Sequence, residues 1–151
     1  MNKPLPIDAA VDVDAPAGTV WSIVSDVARM GEWSPECRKV LLVGAKTADL
    51  GVRMVGINKR RLVVWPTWSR IVRFEPGRAI AWRTRESAAT WTYELESTAA
   101  GTRLVARRAV GGFSVPTKLL APLLGGAAGH DRELADGLRA TLERIKAEAE
   151  S

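Results

Sequence analysis

"AIAWRTRESAATWTYELESTAAGTRLVARRAV", residues 79–110, decides the fold. From Ala79 to Arg85, Ile80, Trp82 and Thr84 fall on one face, opposed by Ala81, Arg83 and Arg85. From Thr90 to Ser97, Trp91, Tyr93 and Leu95 oppose Thr92, Glu94 and Glu96. Ala100-Gly101 then turns the chain into a further strand, Thr102 to Val110. A period of two over successive segments at hairpin spacing predicts antiparallel strands with one apolar face and one charged face.

Working outward from this block, the same period marks Ile7 to Val13, with Ile7, Ala9, Val11 and Val13 together. Short strands follow at 39–43, 52–58 and 68–74, the last stopped by the Glu75-Pro-Gly-Arg turn. Between the first two strands, Val20, Ile23, Val24 and Val27 recur at helical spacing. Asp14 is a candidate cap for that helix, Pro16 lies in its first turn and Gly31 ends it. Trp33 then sits in the connector ahead of Pro35. After Pro116 the chain turns helical: Leu119, Leu120, Leu123 and Leu124 form an apolar patch. Leu134, Leu138, Leu142 and Ile145 make the stripe of one long amphipathic helix. The expected class is α+β: a seven-stranded antiparallel sheet curled around a long C-terminal helix, with two short helices between strands one and two. A single domain spans 1–151, because a chain of 151 residues forms one substantial core and not two.

Composition narrows the function classes. The chain is 46% hydrophobic and 26% charged, as an ordinary globular domain is. The run from Ala109 to Leu124 is too short and too interrupted by glycine and proline to span a membrane. The stretch MNKPLPIDAA has no apolar signal region, so the expected location is cytoplasmic. A net charge of +5 with a pI near 9.9 raises nucleic acid as a partner. The cations are scattered along the sequence, however, and only Lys59 to Arg61 forms a run, so nucleic acid is not the expected partner.

The inventory for catalysis is thin. Cys37 is the one cysteine, which excludes an internal disulfide and a cysteine-based metal site. Its neighbour Arg38 would lower its pKa, but one such pair is slight support for a nucleophile. His130 is the one histidine, either a cavity acid or base or a polar position where a glycine-rich bend meets the helix. With Asp131 and Glu133 it makes a poor metal set, because adjacent helix positions point apart. No phosphate-cradling glycine motif is present, and no cofactor or metal is expected.

The order of elements resembles the helix-grip superfamily, the START and birch-pollen-allergen-like group that includes the polyketide cyclase/dehydrase and lipid-transport (SRPBCC) family. The resemblance runs over essentially the whole chain. It is carried by VDVDAPAGTVWSIVSDVARMGEWSPECRKV (11–40), GVRMVGIN (51–58), WPTWSRIVRFEPGRAIAWR (65–83), TWTYELESTAAGTRLV (90–105) and LRATLERIKAEAE (138–150). It implies a cavity between sheet and helix, with Trp33 either plugging one end of the grip or touching a ligand at its rim.

The expected ligand-contacting set is Trp33, Met54, Val72, Trp82, Trp91, Tyr93, Arg108, Leu120 and Leu124. Strand period leaves open whether the aromatic members form a packed core or a pocket lining. Arg108 falls inward on the count from Leu104 through Ala106, unless a bulge turns it out. An inward arginine needs a carboxylate or an anionic ligand group. The glycine-rich segment 111–129 reads as a lid or hinge over the cavity, or as a bend that follows a curved sheet. The expected function is binding or transport of a hydrophobic small molecule, a lipid or a polyketide. One alternative is a polyketide aromatase/cyclase, which needs a shaped pocket more than a triad. Another is an interaction protein acting on ribosomes or quinone-carrying assemblies, with the KRR run as its local support.

Overall fold

The computed structural model describes residues 7–110 and 127–151, with side chains of the last helix from Arg132 onward. Seven strands form one sheet: β1 (Ile7–Val13), β2 (Cys37–Val43), β3 (Arg53–Arg60), β4 (Val63–Glu75), β5 (Ala79–Thr84), β6 (Ala89–Thr98) and β7 (Gly101–Val110). Their spatial order is β1-β7-β6-β5-β4-β3-β2, and every neighbouring pair is antiparallel. From β3 to β7 each strand pairs with its predecessor, as short hairpin connections require. β1 lies at the opposite edge from β2, with Val11 facing Leu104 in the register with β7. The chain crosses between the two edges through α1 (Ala17–Val24), a 3-10 turn (Val27–Arg29) and α2 (Met30–Trp33).

Helix α3 (Ala127–Glu150) lies across the concave face. Leu134, Leu138, Leu142 and Ile145 are all buried. Leu138, Leu142 and Ile145 join a core with Val20, Ile23 and Val24 of α1 and Ile80, Leu95 and Leu104 of the sheet. Burying each such side chain contributes about 1.5–3 kcal/mol, so this stripe is what fastens the helix to the sheet.

Two glycines are demanded by geometry. Gly77 has φ +79 at the third position of the Glu75–Arg78 turn, where proline precedes it. Gly101 has φ +150, and a Cβ there would lie 2.3 Å from the Val13 carbonyl oxygen. The β6–β7 hairpin therefore closes against the end of β1, where the Thr102 hydroxyl donates to the Ala15 carbonyl at 2.8 Å.

The structure corrects four local expectations. Asp14 does not cap α1: Pro16 is the cap residue, and the Asp14 N–H donates to Glu150 at 2.7 Å. The helix stops at Val24 because Asp26 takes a non-helical backbone (φ −84, ψ 72), and the chain resumes as the 3-10 turn. β4 begins at Val63, five residues ahead of the expected 68. Pro66 is tolerated there because β5 pairs with β4 only from Ser69 onward, so its missing N–H costs no ladder bond on that side. Val72 falls on the outer phase of β4, opposite to Ser69 and Ile71, and is 46% exposed there while Ile71 is buried.

Acid should loosen the structure through three carboxylates. Glu32 is held below the ordinary 4.5 mainly by hydrogen bonds from Arg29, and Glu75 by those from Arg73. Glu150 is held down by Lys146 and then by the Asp14 N–H. Their folded pKa values are depressed, so as pH falls the unfolded chain binds protons first. The stability they contribute is complete above pH 4.5 and is lost as pH falls through the folded values. The urea midpoint should therefore hold steady from neutrality to about pH 5 and then drop. Glu150→Gln should start lower and fall less, and a parallel fall would show that Glu150 takes no part.

Candidate functional site

The inward phase of each strand sets what faces α3. In β3 the even positions Met54, Gly56, Asn58 and Arg60 point in. In β4, ahead of its bulge, Thr67 and Ser69 do so; β5 adds Trp82 and Thr84, and β6 adds Trp91 and Tyr93. Between these side chains and the first turns of the described part of α3 lies a cavity of about 630 Å³. That is within the range of cavities that enclose a drug-sized molecule. The α2–β2 connector lines it through Ser34, Pro35 and Glu36, and β2 adds Cys37.

The walls differ in chemistry. Trp82 stacks on Tyr93 with ring centroids 5.6 Å apart, a diagonal pair across β5 and β6, and Trp91 lies directly opposite Trp82. Met54 and Leu138 extend this apolar side. The other side carries neutral oxygen and amide groups that already satisfy one another. Asn58 Nδ2 donates to Thr67 Oγ1 at 3.0 Å, and the Ser69 and Thr84 hydroxyls share a hydrogen bond at 2.9 Å. Burial pushes the Tyr93 phenol above its ordinary value, so it stays protonated and able to donate at neutral pH. Burial likewise pushes the Cys37 thiol up to about 11. It therefore remains a thiol, and the neighbouring Arg38 does not activate it.

A clasp crosses the mouth. Arg60, at the end of β3, donates from Nε and Nη2 to the carboxylate of Glu133 on α3, the Nη2 bond measuring 2.6 Å. The arginine side chain is 7% exposed and its partner 46% exposed, so the pair reaches from the wall to the rim. Hydrogen bonding to Glu133 raises the guanidinium pKa and keeps Arg60 a cation. Arg38, Lys59 and Arg61, with Glu36 and Asp136, complete a charged rim around an uncharged interior.

Of the sequence-chosen residues, the structure brings Met54, Trp82, Trp91 and Tyr93 to the cavity wall. Trp33 is not among the lining residues. It is a buried core plug under the Arg29 guanidinium, 4.7 Å from its ring centroid, with its carbonyl accepting from Arg144 at 2.9 Å. Val72 points away from the cavity, on the opposite phase from Ser69 and Ile71. Arg108 points inward as counted, with its guanidinium 5.4 Å from the Trp91 ring centroid, but it does not reach the lining. Leu120, Leu124 and the lid segment up to 126 lie outside the described residues, and so does the side chain of His130. Gly129 is already within α3.

Arg60 and the hydroxyl wall were not singled out from sequence, although counting by two from Met54 leads to Arg60. Among the described residues, no three His, Cys, Asp or Glu side chains gather as metal ligands. No described helix is long and apolar enough to cross a membrane.

A family model described as polyketide cyclase / dehydrase and lipid transport matches residues 6–150. Solved structures share the fold. The di-domain ARO/CYC protein StfQ of the steffimycin biosynthetic pathway superposes with a TM-score of 0.74 at 16% identity, over 96% of this chain and 50% of that one. The di-domain ARO/CYC protein BexL of the BE-7585A pathway gives 0.71 at 23% identity, over 97% and 50%. A Polyketide_cyc-like protein from Corynebacterium glutamicum gives 0.64 at 27% identity, over 97% and 91%. The chain thus spans half the length of the two di-domain proteins. No curated protein matches it by sequence.

Proposed function

Because the chain belongs to the polyketide cyclase/dehydrase and lipid transport family, we propose that it binds a hydrophobic small molecule between its sheet and α3, as a carrier of a lipid or polyketide. The observation that carries this reading is the composition of the cavity wall. Trp82, Trp91, Tyr93 and Met54 offer an apolar surface, and the facing polar groups are neutral and already paired. A molecule entering this space gains by burying apolar area and displaces no charge from the interior. Few oxygens are needed on the ligand: one or two carbonyls or hydroxyls would meet Tyr93 or the Ser69–Thr84 pair.

A second reading, an aromatase/cyclase, is favoured by the kind of protein that shares the fold, since StfQ and BexL are both ARO/CYC proteins. In that reading the cavity folds a polyketide chain so that reacting carbons meet. Tyr93, held protonated, donates to a carbonyl oxygen as the bond forms. The carrier reading ranks first because the described bases stand at the rim, where Glu133 is engaged by Arg60, and the Cys37 thiol deeper in the wall is held protonated.

Native mass spectrometry of protein purified without denaturant from its own host tests the proposal. The expected spectrum shows a population heavier by one small hydrophobic molecule. A spectrum of the bare chain alone, unchanged after incubation with fatty acids or aromatic polyketides, would overturn it.

A further inference from the structure

Outside the cavity, the outer side of β2–β4 carries apolar groups that the fold leaves uncovered. At the tip of the β3–β4 hairpin Leu62 is 97% exposed, with Val63 and Val64 exposed beside it. Leu41, Val55 and Trp68 lie in one cross-strand row on the same outer face. A contiguous surface of this kind marks a place of contact.

The cations beside it identify the contact. At the end of the strands remote from the tip, Arg53 lies opposite Arg70, and Arg70 opposite Arg83, all three exposed. Lys59 and Arg61 flank the tip itself. Among the described residues none of these five forms an ion pair. A second copy of the chain would bring the same cations and be repelled. A nucleic acid would match the charge but has nothing to gain from Leu62, Val63 and Val64, which cannot stack on bases as aromatic rings do. An anionic bilayer satisfies both parts, taking aliphatic side chains below its headgroups and cations among them.

We propose that the β3–β4 hairpin tip docks on an anionic lipid surface, with Leu62, Val63 and Val64 entering the interface and Lys59 and Arg61 lying among its headgroups. Lys59, Arg60 and Arg61 also border the cavity mouth, so docking turns that mouth toward the membrane. This last step rests on the cavity being a hydrophobic-ligand site. It lets a ligand pass between bilayer and cavity without crossing water, past the Arg60–Glu133 clasp.

Co-sedimentation with vesicles tests the proposal, using phosphatidylcholine alone and phosphatidylcholine with roughly one third phosphatidylglycerol. The protein should bind the mixed vesicles, bind plain phosphatidylcholine weakly, and be released by salt. Leu62→Asp should weaken binding at least about tenfold, since it withdraws a whole leucine from the interface. Lys59→Glu and Arg61→Glu should each weaken it about fivefold or more. Leu62 is almost wholly exposed, so Leu62→Asp should keep the wild-type circular dichroism and still take up anilinonaphthalene sulfonate.

Failure to bind mixed vesicles, or binding indifferent to Leu62→Asp, would overturn the docking proposal. So would a nucleic-acid shift that needs Lys59 and Arg61 but not Leu62, or a Leu62-dependent dimer that ignores vesicles. Probe uptake separates the two readings. A protein that takes up probe and ignores vesicles loses docking and keeps the cavity. One that binds vesicles and takes up no probe does the reverse.

Discussion

Leu142→Ala is expected to lower the stability of the protein by about 2–5 kcal/mol, whereas Trp91→Ala should cost about 1–2 kcal/mol despite removing more atoms. Leu142 is 1% exposed in the middle of the core between α3 and the sheet, so its truncation opens a void with no solvent to fill it. Trp91 has one side on the cavity and the Arg108 guanidinium over its ring. Its removal enlarges an existing space and forfeits one cation–π contact, worth about 0.5–2 kcal/mol. Urea unfolding of the two variants measures the difference. Equal losses would mean that Trp91 is ordinary core and that the cavity closes over it.

Gly137→Phe is expected to move stability and binding in opposite directions. Gly137 lies inside α3 on the cavity wall, where a Cβ would meet the Pro35 ring at 3.7 and 3.8 Å, an ordinary contact distance. Replacing a helical glycine by a residue with a side chain gains roughly 0.5 kcal/mol from propensity alone. The Thr141 hydroxyl bonds to the Gly137 carbonyl, which the substitution leaves in place. The added ring projects beside Pro35 into the space a ligand would use. Affinity for a cavity-filling ligand should fall about tenfold to a hundredfold, roughly 1.4–2.7 kcal/mol.

These effects can be argued because much of the framework was legible before any coordinates. Between their two turns, residues 79–110 alternate strand by strand, and their register follows: Trp82 faces Trp91, and Tyr93 shares their pleat. The Leu134-Leu138-Leu142-Ile145 stripe could bury itself in only one way, against the sheet. Arg108 came out inward because nothing between Leu104 and Arg108 disturbs the count.

Where legibility failed, the cause was local. Ile71 and Val72 would each suit the inner face, and residue type alone does not show that the phase of Thr67 and Ser69 gives that face to Ile71. Pro66 hid the first part of β4, because proline reads as a break until one knows that β5 ends alongside Ser69. Trp33 could be read as an end plug or as a rim contact, and its place in the core under Arg29 depends on contacts that residue order does not show. The Arg60–Glu133 clasp joins residues 73 apart, a pairing that no single-strand period reveals. The arginine row Arg53-Arg70-Arg83 is likewise a product of register, and linear scatter concealed it.

The most direct test of the cavity as a ligand site is a fluorescence titration of the wild type and Gly137→Phe with anilinonaphthalene sulfonate, read as energy transfer from tryptophan. The wild type should bind about one probe per chain in a saturable curve, because Trp82 and Trp91 line the space the probe would enter. Gly137→Phe should bind it about tenfold to a hundredfold more weakly, while unfolding at the same or higher urea concentration. Equal affinity in the two proteins, or no saturable binding in either, would contradict the account.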